Sequence, residues 1–220
     1  MPTEMTFTSL QSDLQSYLQR GTNTDPIVYN QLPKLINNAE RRIARELKVL
    51  GFQVPITTTL TAGTNGQVLA KPDRWRATIS MAYGAQNASG AFNVRTPLFP
   101  RSYEYIRQYW PDDSVFAPPK FYADYDFNNW LICPTPDQAY PLEIQCWVLP
   151  ALLDVNNQTN WTSNYCPDVL LYASLLECAP FIVNDARIPT WDKYYQDRMS
   201  GLSAEDAQRI IDRTTHRETP

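Results

Sequence analysis

The chain has 220 residues, 43% of them hydrophobic and 19% charged, and this composition excludes an intrinsically disordered protein. The formal net charge of −4 argues against a dedicated nucleic-acid-binding protein, because such proteins usually carry a basic surface. No apolar run has the length of a membrane span, and the polar, amphipathic start does not have the pattern of a signal peptide. We therefore expect synthesis in the cytoplasm.

Residues 1–51 are predicted to form the N-terminal helices of a bundle. The apolar face of a first helix comprises Phe7, Leu10, Leu14 and Tyr17 or Leu18. Thr8 and Gln11 offer a capping box for it. A longer helix is predicted to begin at Pro33, because proline suits the first position of a helix. Its buried stripe comprises Leu32, Leu35, Ile36, Ala39, Ile43, Leu47 and Leu50.

A row of basic residues lies on another face of this longer helix, at Arg41, Arg45 and Lys48. Steps of four and three residues bring the three side chains to one side of a helix. Two interpretations remain open. The row is either a solvated surface partnered by Glu40 and Glu46, or a subunit–subunit contact in which charge sets the specificity.

Residues 52–151 change to a period-two pattern rich in threonine, proline and aromatic residues, which predicts an inserted antiparallel β domain. Asn65-Gly66 predicts a hairpin between the first two strands. A second strand pair is predicted in ATISMAYGAQ and AFNVRTPLF, and a third on either side of Asn128-Asn129. PLEIQCWVLP supplies a further strand, and RSYEYIRQYW predicts a short helix that ends at Pro111.

Residues 152–203 are predicted to be the C-terminal helices of the bundle. The first is apolar almost all round and therefore has to be buried on most sides. The second carries one apolar stripe formed by Trp191, Tyr195, Met199 and Leu202. Residues 204–220 are nearly charge-balanced and are predicted to be an arm that folds on a partner. The expected fold class is α+β, a helical bundle formed by the N- and C-terminal helices with an inserted antiparallel β-sheet domain.

The sequence offers no evident catalytic set. The single histidine, His216, lies near the C-terminal end, whereas serine or cysteine nucleophiles normally need a histidine base. Phosphate-binding and nucleophile-elbow motifs are missing. The cysteines lack the close pairing of a zinc site and are expected to be reduced and buried; they are Cys133, Cys146, Cys166 and Cys178. We expect a protein without enzymatic activity, cofactor or metal.

Two acidic residues leave an alternative open. Asp124 and Asp126 share a strand face in a region rich in tyrosine and tryptophan, a combination that occurs in carbohydrate-active or carbohydrate-binding proteins. Two solvent-facing acids opposite a buried aromatic row are the simpler explanation of the same pattern.

Six segments, in their order and spacing, carry a family resemblance: TFTSLQSDLQSYL, INNAERRIARELK, LAKPDRW, PPKFYADYDFNNWLICPTP, WTSNYCPDVLLYASLLECAPFIVND and WDKYYQDRMSGL. Together they resemble the head-to-tail adaptor (connector) proteins of tailed bacteriophages, over nearly the full chain. The resemblance implies a structural virion protein in the neck between capsid and tail, assembled in the host cytoplasm. It also implies a ring, commonly of twelve copies, between the portal protein and the tail nozzle protein. Double-stranded DNA would pass through the ring without sequence-specific binding, and no membrane would be involved.

The resemblance further implies that the C-terminal helix and tail contact the portal, which here corresponds to residues from about Ala204 to Pro220. The candidate portal-binding residues in this segment are Arg209, Ile210, Ile211, Arg213, His216 and Arg217. A nozzle or tail-completion protein of the same particle is an alternative, and such a protein would bind the adaptor layer but not the portal.

Overall fold

The computed structural model describes residues 5–19, 26–47, 50–64, 67–181 and 185–215. The helices found there are α1 (Phe7–Leu18), α2 (Pro26–Glu46), α3 (Tyr103–Tyr109), α4 (Trp161–Tyr165), α5 (Pro167–Cys178) and α6 (Ile188–Thr215), with 3-10 turns at Leu50–Phe52 and Ala179–Phe181. The strands are β1 (Gln53–Leu60), β2 (Val68–Ala70), β3 (Trp75–Tyr83), β4 (Thr96–Pro100), β5 (Phe121–Asp124), β6 (Asn129–Cys133) and β7 (Tyr140–Val148).

The strands form one seven-stranded sheet in the order β1-β7-β3-β4-β5-β6-β2. All neighbouring strands are antiparallel except β4 and β5, which pair in parallel through Phe99 opposite Phe121 and Pro100 opposite Tyr122. A parallel pair cannot be joined by a tight turn, and here the connection contains α3. The sheet is therefore mixed.

The predicted fold class is wrong. The chain is a mixed α/β protein dominated by a nearly closed, barrel-like sheet of seven strands accompanied by six helices in the described residues, not a helical bundle with an inserted antiparallel sheet. The period-two pattern shows where strands lie in the sequence, but it does not show which strands pair with each other, because pairing depends on contacts between residues distant in sequence.

The first predicted hairpin is also wrong. β1 pairs with β7 and β2 pairs with β6, so the two strands on either side of Asn65-Gly66 are not hydrogen-bonded to each other. The dipeptide itself lies outside the described residues. In contrast, the antiparallel pairs β3–β4 and β5–β6 and the short helix before Pro111 are confirmed.

Two apolar clusters lie on opposite faces of β5 and β6. The larger one comprises Leu60, Met81, Leu98, Tyr122, Trp130, Ile132, Tyr140, Leu142, Ile144 and Cys146. The indole N–H of Trp130 donates to the hydroxyl of Thr78 at 2.9 Å, so the buried ring has its polar group satisfied. The smaller cluster joins α3 to the other face and comprises Ile106, Ala123, Leu131 and Cys133.

The chain divides into two compact units, Met1–Gly51 with Leu149–Pro220, and Phe52–Val148. In the first unit, α5 packs against α1, α2, α4 and α6, which explains why it is apolar almost all round. The longer N-terminal helix begins at Pro26, not Pro33, because the buried stripe already includes Val28 and Leu32. Among the described residues, no helix combines the length and the apolarity of a membrane span.

Candidate functional site

The terminal helix α6 is anchored to α2 and α5 by a polar cluster. The hydroxyl of Tyr195 on α6 donates to the carboxylate of Glu46 on α2 at 2.6 Å. The guanidinium of Arg42 lies 4.7 Å from the centre of the Tyr195 ring and donates through Nε to Glu46 at 3.0 Å. Its Nη1 lies 3.8 Å from the carboxylate of Glu177 on α5. The cluster therefore links all three helices.

Tyr195 is the centre of this cluster. It is fully buried, and burial, followed by its hydrogen bond to Glu46, raises the pKa of its hydroxyl. The phenol therefore remains a neutral donor at physiological pH. Trp191 and Met199 are buried one helical turn on either side, so the predicted apolar stripe of α6 is confirmed at these three positions.

The far end of α6 carries the predicted portal-binding residues. Asp206 is only 8% exposed, so α6 remains packed against its unit beyond residue 204, where the arm was predicted to begin. The helix itself continues to Thr215. The side chains of Arg209, Ile210, Ile211 and Arg213 lie outside the described part of the chain, as do His216 and Arg217 altogether. Their role remains a prediction.

Two members of the predicted basic row line a surface groove of about 480 Å³, formed by Asn38, Arg41, Arg42, Arg45 and Glu177. Arg41 and Arg45 are exposed, and with the described residues they form neither an ion pair nor a hydrogen bond. Arg42, which the sequence did not single out, is instead held by Glu46 and Tyr195. Lys48 lies outside the described residues.

Glu40 is not a surface residue, although the positive charge of Arg41 is near enough to favour its carboxylate form. It is buried and accepts hydrogen bonds from the N–H of Leu153 at 2.9 Å, from the side-chain amide of Asn160 and from the hydroxyl of Thr162 at 3.4 Å. Burial raises its pKa, although the hydrogen bonds oppose this. The sequence contains a sign of this burial, because Glu40 follows the buried Ile36 by four residues and so lies on the same face of α2.

This buried carboxylate fastens the segment that returns from the sheet to the C-terminal helices. Asn160 also donates to the carbonyl of Ala151 at 2.8 Å, and its side-chain oxygen accepts from the N–H of Ser163 at 3.1 Å to cap α4. One acidic side chain of α2 therefore helps to fix both the return segment and the start of α4. The arrangement thus holds α2, the return segment and α4 together.

Asp124 and Asp126, the two acids on which the carbohydrate alternative rests, are both bound by other groups of the protein. Asp124 lies 2.8 Å from the ammonium of Lys71, which also donates to the carbonyl of Asp126 at 2.8 Å and lies 3.9 Å from the centre of the Trp75 ring. The carboxylate of Asp126 accepts from the side-chain amide of Asn129 and from the backbone of the turn, and these bonds lower its pKa. The pKa of Asp126 is therefore shifted down, whereas a glycosidic acid needs a raised pKa.

Nucleophilic and metal chemistry find little support in the described residues. Cys133 and Cys146 are buried thiols whose pKa burial raises to about 11, and the pKa of Cys166 and Cys178 is raised to about 12 in the same way. Thiols of this kind are poor nucleophiles at neutral pH. Within the described ranges, no three histidine, cysteine or acidic side chains come together as metal ligands.

Comparison with protein-family models gives a match. The model of a family described as SU10 adaptor protein matches residues 5–217, which is nearly the whole chain. No curated protein matches.

Proposed function

The chain belongs to the SU10 adaptor protein family, and on this premise we propose that it is a non-enzymatic head-to-tail adaptor that forms a ring between the portal protein and the tail nozzle protein. The family confirms the resemblance to tailed-bacteriophage adaptors and implies a virion protein that contacts other head or tail proteins. The ring, commonly of twelve copies, would let double-stranded DNA pass without sequence-specific binding. The observation that carries the proposal is the family match over residues 5–217.

In this proposal the end of α6 docks into the portal. Support comes from the anchored first half of the helix, where Trp191, Tyr195 and Met199 are buried while the helix continues to Thr215. A helix held firmly at one end presents the other end in a defined direction, which lowers the entropy lost on binding. Since Asp206 is still buried, the docking arm consists of residues after 208.

The basic row has a second role in the proposal, at the contact between neighbouring copies. A closed ring needs two different, complementary surfaces on each copy. Arg41 and Arg45 are exposed arginines without partners in the described residues, and they line a groove that could receive carboxylates. Lys48 follows Arg45 by three residues in the sequence and lies outside the described residues. Such charges favour the correct partner and speed association more than they add affinity.

A truncation tests the docking arm. A chain that ends at Gln208 lacks every candidate portal contact, and a chain with a glycine–serine segment of the same length in place of residues 209–220 controls for length. Both should melt like the full chain, but neither should sediment with purified portal, whereas the full chain should. Undiminished portal binding by both variants would refute the docking assignment. A full chain that does not bind the portal but binds an adaptor layer would indicate a nozzle or tail-completion protein instead.

A further inference from the structure

Aromatic side chains around α3 form an exposed surface on the sheet unit, which we call the α3 aromatic surface. Its exposed members are Phe99 (53%), Tyr103 (39%), Tyr109 (60%) and Tyr125 (45%). Behind them lie Tyr105, Trp110 and Phe121, which are half-buried. The α3 aromatic surface therefore combines rings that face solvent with half-buried rings beneath them.

Ring-to-ring contacts connect four members of this surface, Tyr105, Tyr109, Trp110 and Phe121. The ring centres of Tyr105 and Tyr109 lie 4.6 Å apart, and Tyr109 lies 6.1 Å from Trp110. Phe121 lies 5.3 Å from Trp110 and 6.2 Å from Tyr105. A separate pair joins α3 to the turn after β5, because the rings of Tyr103 and Tyr125 lie 5.9 Å apart. In the sheet, Phe99 is the register partner of Phe121.

The guanidinium of Arg101 lies close to two rings of this surface. Its guanidinium carbon is 5.5 Å from the centre of Tyr105 and 5.4 Å from that of Phe121. Its hydrogen bond is to the neighbouring Pro100 carbonyl, and among the described residues it has no carboxylate partner. Arg107 differs, since it is paired with Asp113. An exposed arginine beside aromatic rings and without an ion-pair partner in the described residues is well placed to bind a carboxylate of a partner.

A small-ligand platform fits this geometry less well. Neighbouring rings are tilted by 39° to 70°, so they offer no flat pair of coplanar faces. Asp113 is bound by Gln67 and Arg107, and Asp124 by Lys71, which removes these acids as sugar hydrogen-bond partners. Tyrosine, tryptophan and arginine are the residues enriched where protein interfaces derive most of their affinity.

The exposed rings supply about half of the area that a standard subunit contact takes from one partner. A buried aromatic side chain covers about 150–250 Å², so four half-exposed rings supply roughly 300–500 Å². A standard interface takes about 800 Å² from each partner. The basic groove of α2 is charged and supplies little of that apolar area.

We propose that the α3 aromatic surface is the apolar part of the contact between neighbouring copies of this chain, with a carboxylate of the neighbour opposite Arg101. The inference rests on the proposed ring. A second copy suits the surface because the chain is net acidic, with 23 aspartate and glutamate residues against 19 lysine and arginine residues. The ring contact then has two parts, in which the α2 arginines set the specificity and the α3 aromatic surface provides the affinity.

Site-specific photo-cross-linking in the assembled particle tests this inference. Benzoylphenylalanine in place of Tyr109 should yield, on irradiation, a covalent product with twice the mass of the chain. The double variant Tyr103→Ser/Tyr109→Ser should keep the fold, with a melting temperature lowered by the lost ring contacts, yet assemble rings at least tenfold less efficiently at a temperature where it is folded. The matched control is Tyr165→Ser, a highly exposed tyrosine of α4, which should assemble normally.

The outcomes separate the two proposals. A cross-link from position 109 to a different virion protein, or normal ring assembly by the double variant, overturns this inference while the adaptor function stands. Failure of the wild-type chain to enter the particle refutes the proposed function and this inference with it.

Discussion

The hydroxyl of Tyr195 donates a 2.6 Å hydrogen bond to the carboxylate of Glu46 and so joins the terminal helix α6 to α2. Arg42 covers the tyrosine ring and binds the same carboxylate, which leaves the buried phenol and its acceptor both satisfied. The half of α6 that precedes the proposed docking arm is therefore fixed by packing and by a specific polar contact.

Loss of this hydrogen bond should weaken the anchor. Tyr195→Phe keeps the ring and its packing but removes the donor, and we expect the free energy of unfolding to fall by about 1–2 kcal/mol. Chemical denaturation measures the loss. Tyr194→Phe, a change at the exposed neighbour, should stay within about 0.5 kcal/mol of wild type. Equal stabilities for the two variants would mean that the contact contributes nothing.

Removal of the buried carboxylate of Glu40 should cost more. Glu40→Leu removes the acceptor of the Leu153 N–H and of the Asn160 side-chain amide. Because buried donors without acceptors destabilise the folded state, the free energy of unfolding should fall by roughly 2–5 kcal/mol. The control, Glu104→Leu on the surface of α3, should be nearly neutral. A small effect at position 40, measured by the same denaturation, would argue against the fastening role.

The pH dependence of stability should carry a signature of Glu40. Burial raises its pKa above the ordinary 4.5, so the folded state binds a proton more tightly than the unfolded state does. Its contribution to stability is therefore full below about pH 4.5 and is lost as the pH rises through the folded pKa. The stability of wild type relative to Glu40→Gln should be higher at pH 4.5 than at pH 8, as followed by denaturant unfolding. A difference that is constant, or that grows with pH, would contradict this.

Replacement of two glycines by alanine should change the stability of the protein in opposite directions. A Cβ at Gly84 would overlap the carbonyl oxygen of Val94, a backbone atom that cannot easily move, so Gly84→Ala should destabilise by about 1–3 kcal/mol. At Gly201, inside α6, a Cβ meets open space, and Gly201→Ala should stabilise by about 0.5–1 kcal/mol. Thermal unfolding of the two variants checks both signs, and a destabilised Gly201→Ala would show that α6 is constrained there by something else.

Charge reversal in the basic groove should slow assembly without affecting the fold. Arg41→Glu/Arg45→Glu changes two exposed side chains, so stability should remain within about 0.5 kcal/mol per site, while ring formation becomes several-fold slower and less sensitive to salt. Light scattering at two ionic strengths follows the rate. Lys193→Glu, on the exposed side of α6, serves as the control, and an identical rate for both variants would remove the groove from the subunit contact.

Local patterns in the sequence predicted those elements whose signal is short-range. The strand predicted in PLEIQCWVLP is β7, in which alternate residues such as Ile144 and Cys146 are buried, and the predicted stripe of α6 is buried at Trp191 and Tyr195. In both cases a repeat of two or of three to four residues reports directly which face is buried.

Features that depend on distant partners were missed. The start of α1 is capped by Thr6 with Ser9, not by Thr8, because Gln158 accepts the hydroxyl and backbone N–H of Thr8. The parallel pairing of β4 with β5 and the burial of Glu40 likewise depend on residues far away in the chain. The pairing of β4 with β5 and the burial of Glu40 cannot be predicted from local residue preferences. The fold class and the surroundings of the basic row therefore differed from the predictions.

Electron microscopy of the purified chain mixed with portal tests the central claim most directly. The account predicts a ring of density attached to the tail-facing end of the portal with the full chain, and a bare portal with the chain that ends at Gln208. A full chain that remains a monomer and leaves the portal bare would contradict the account.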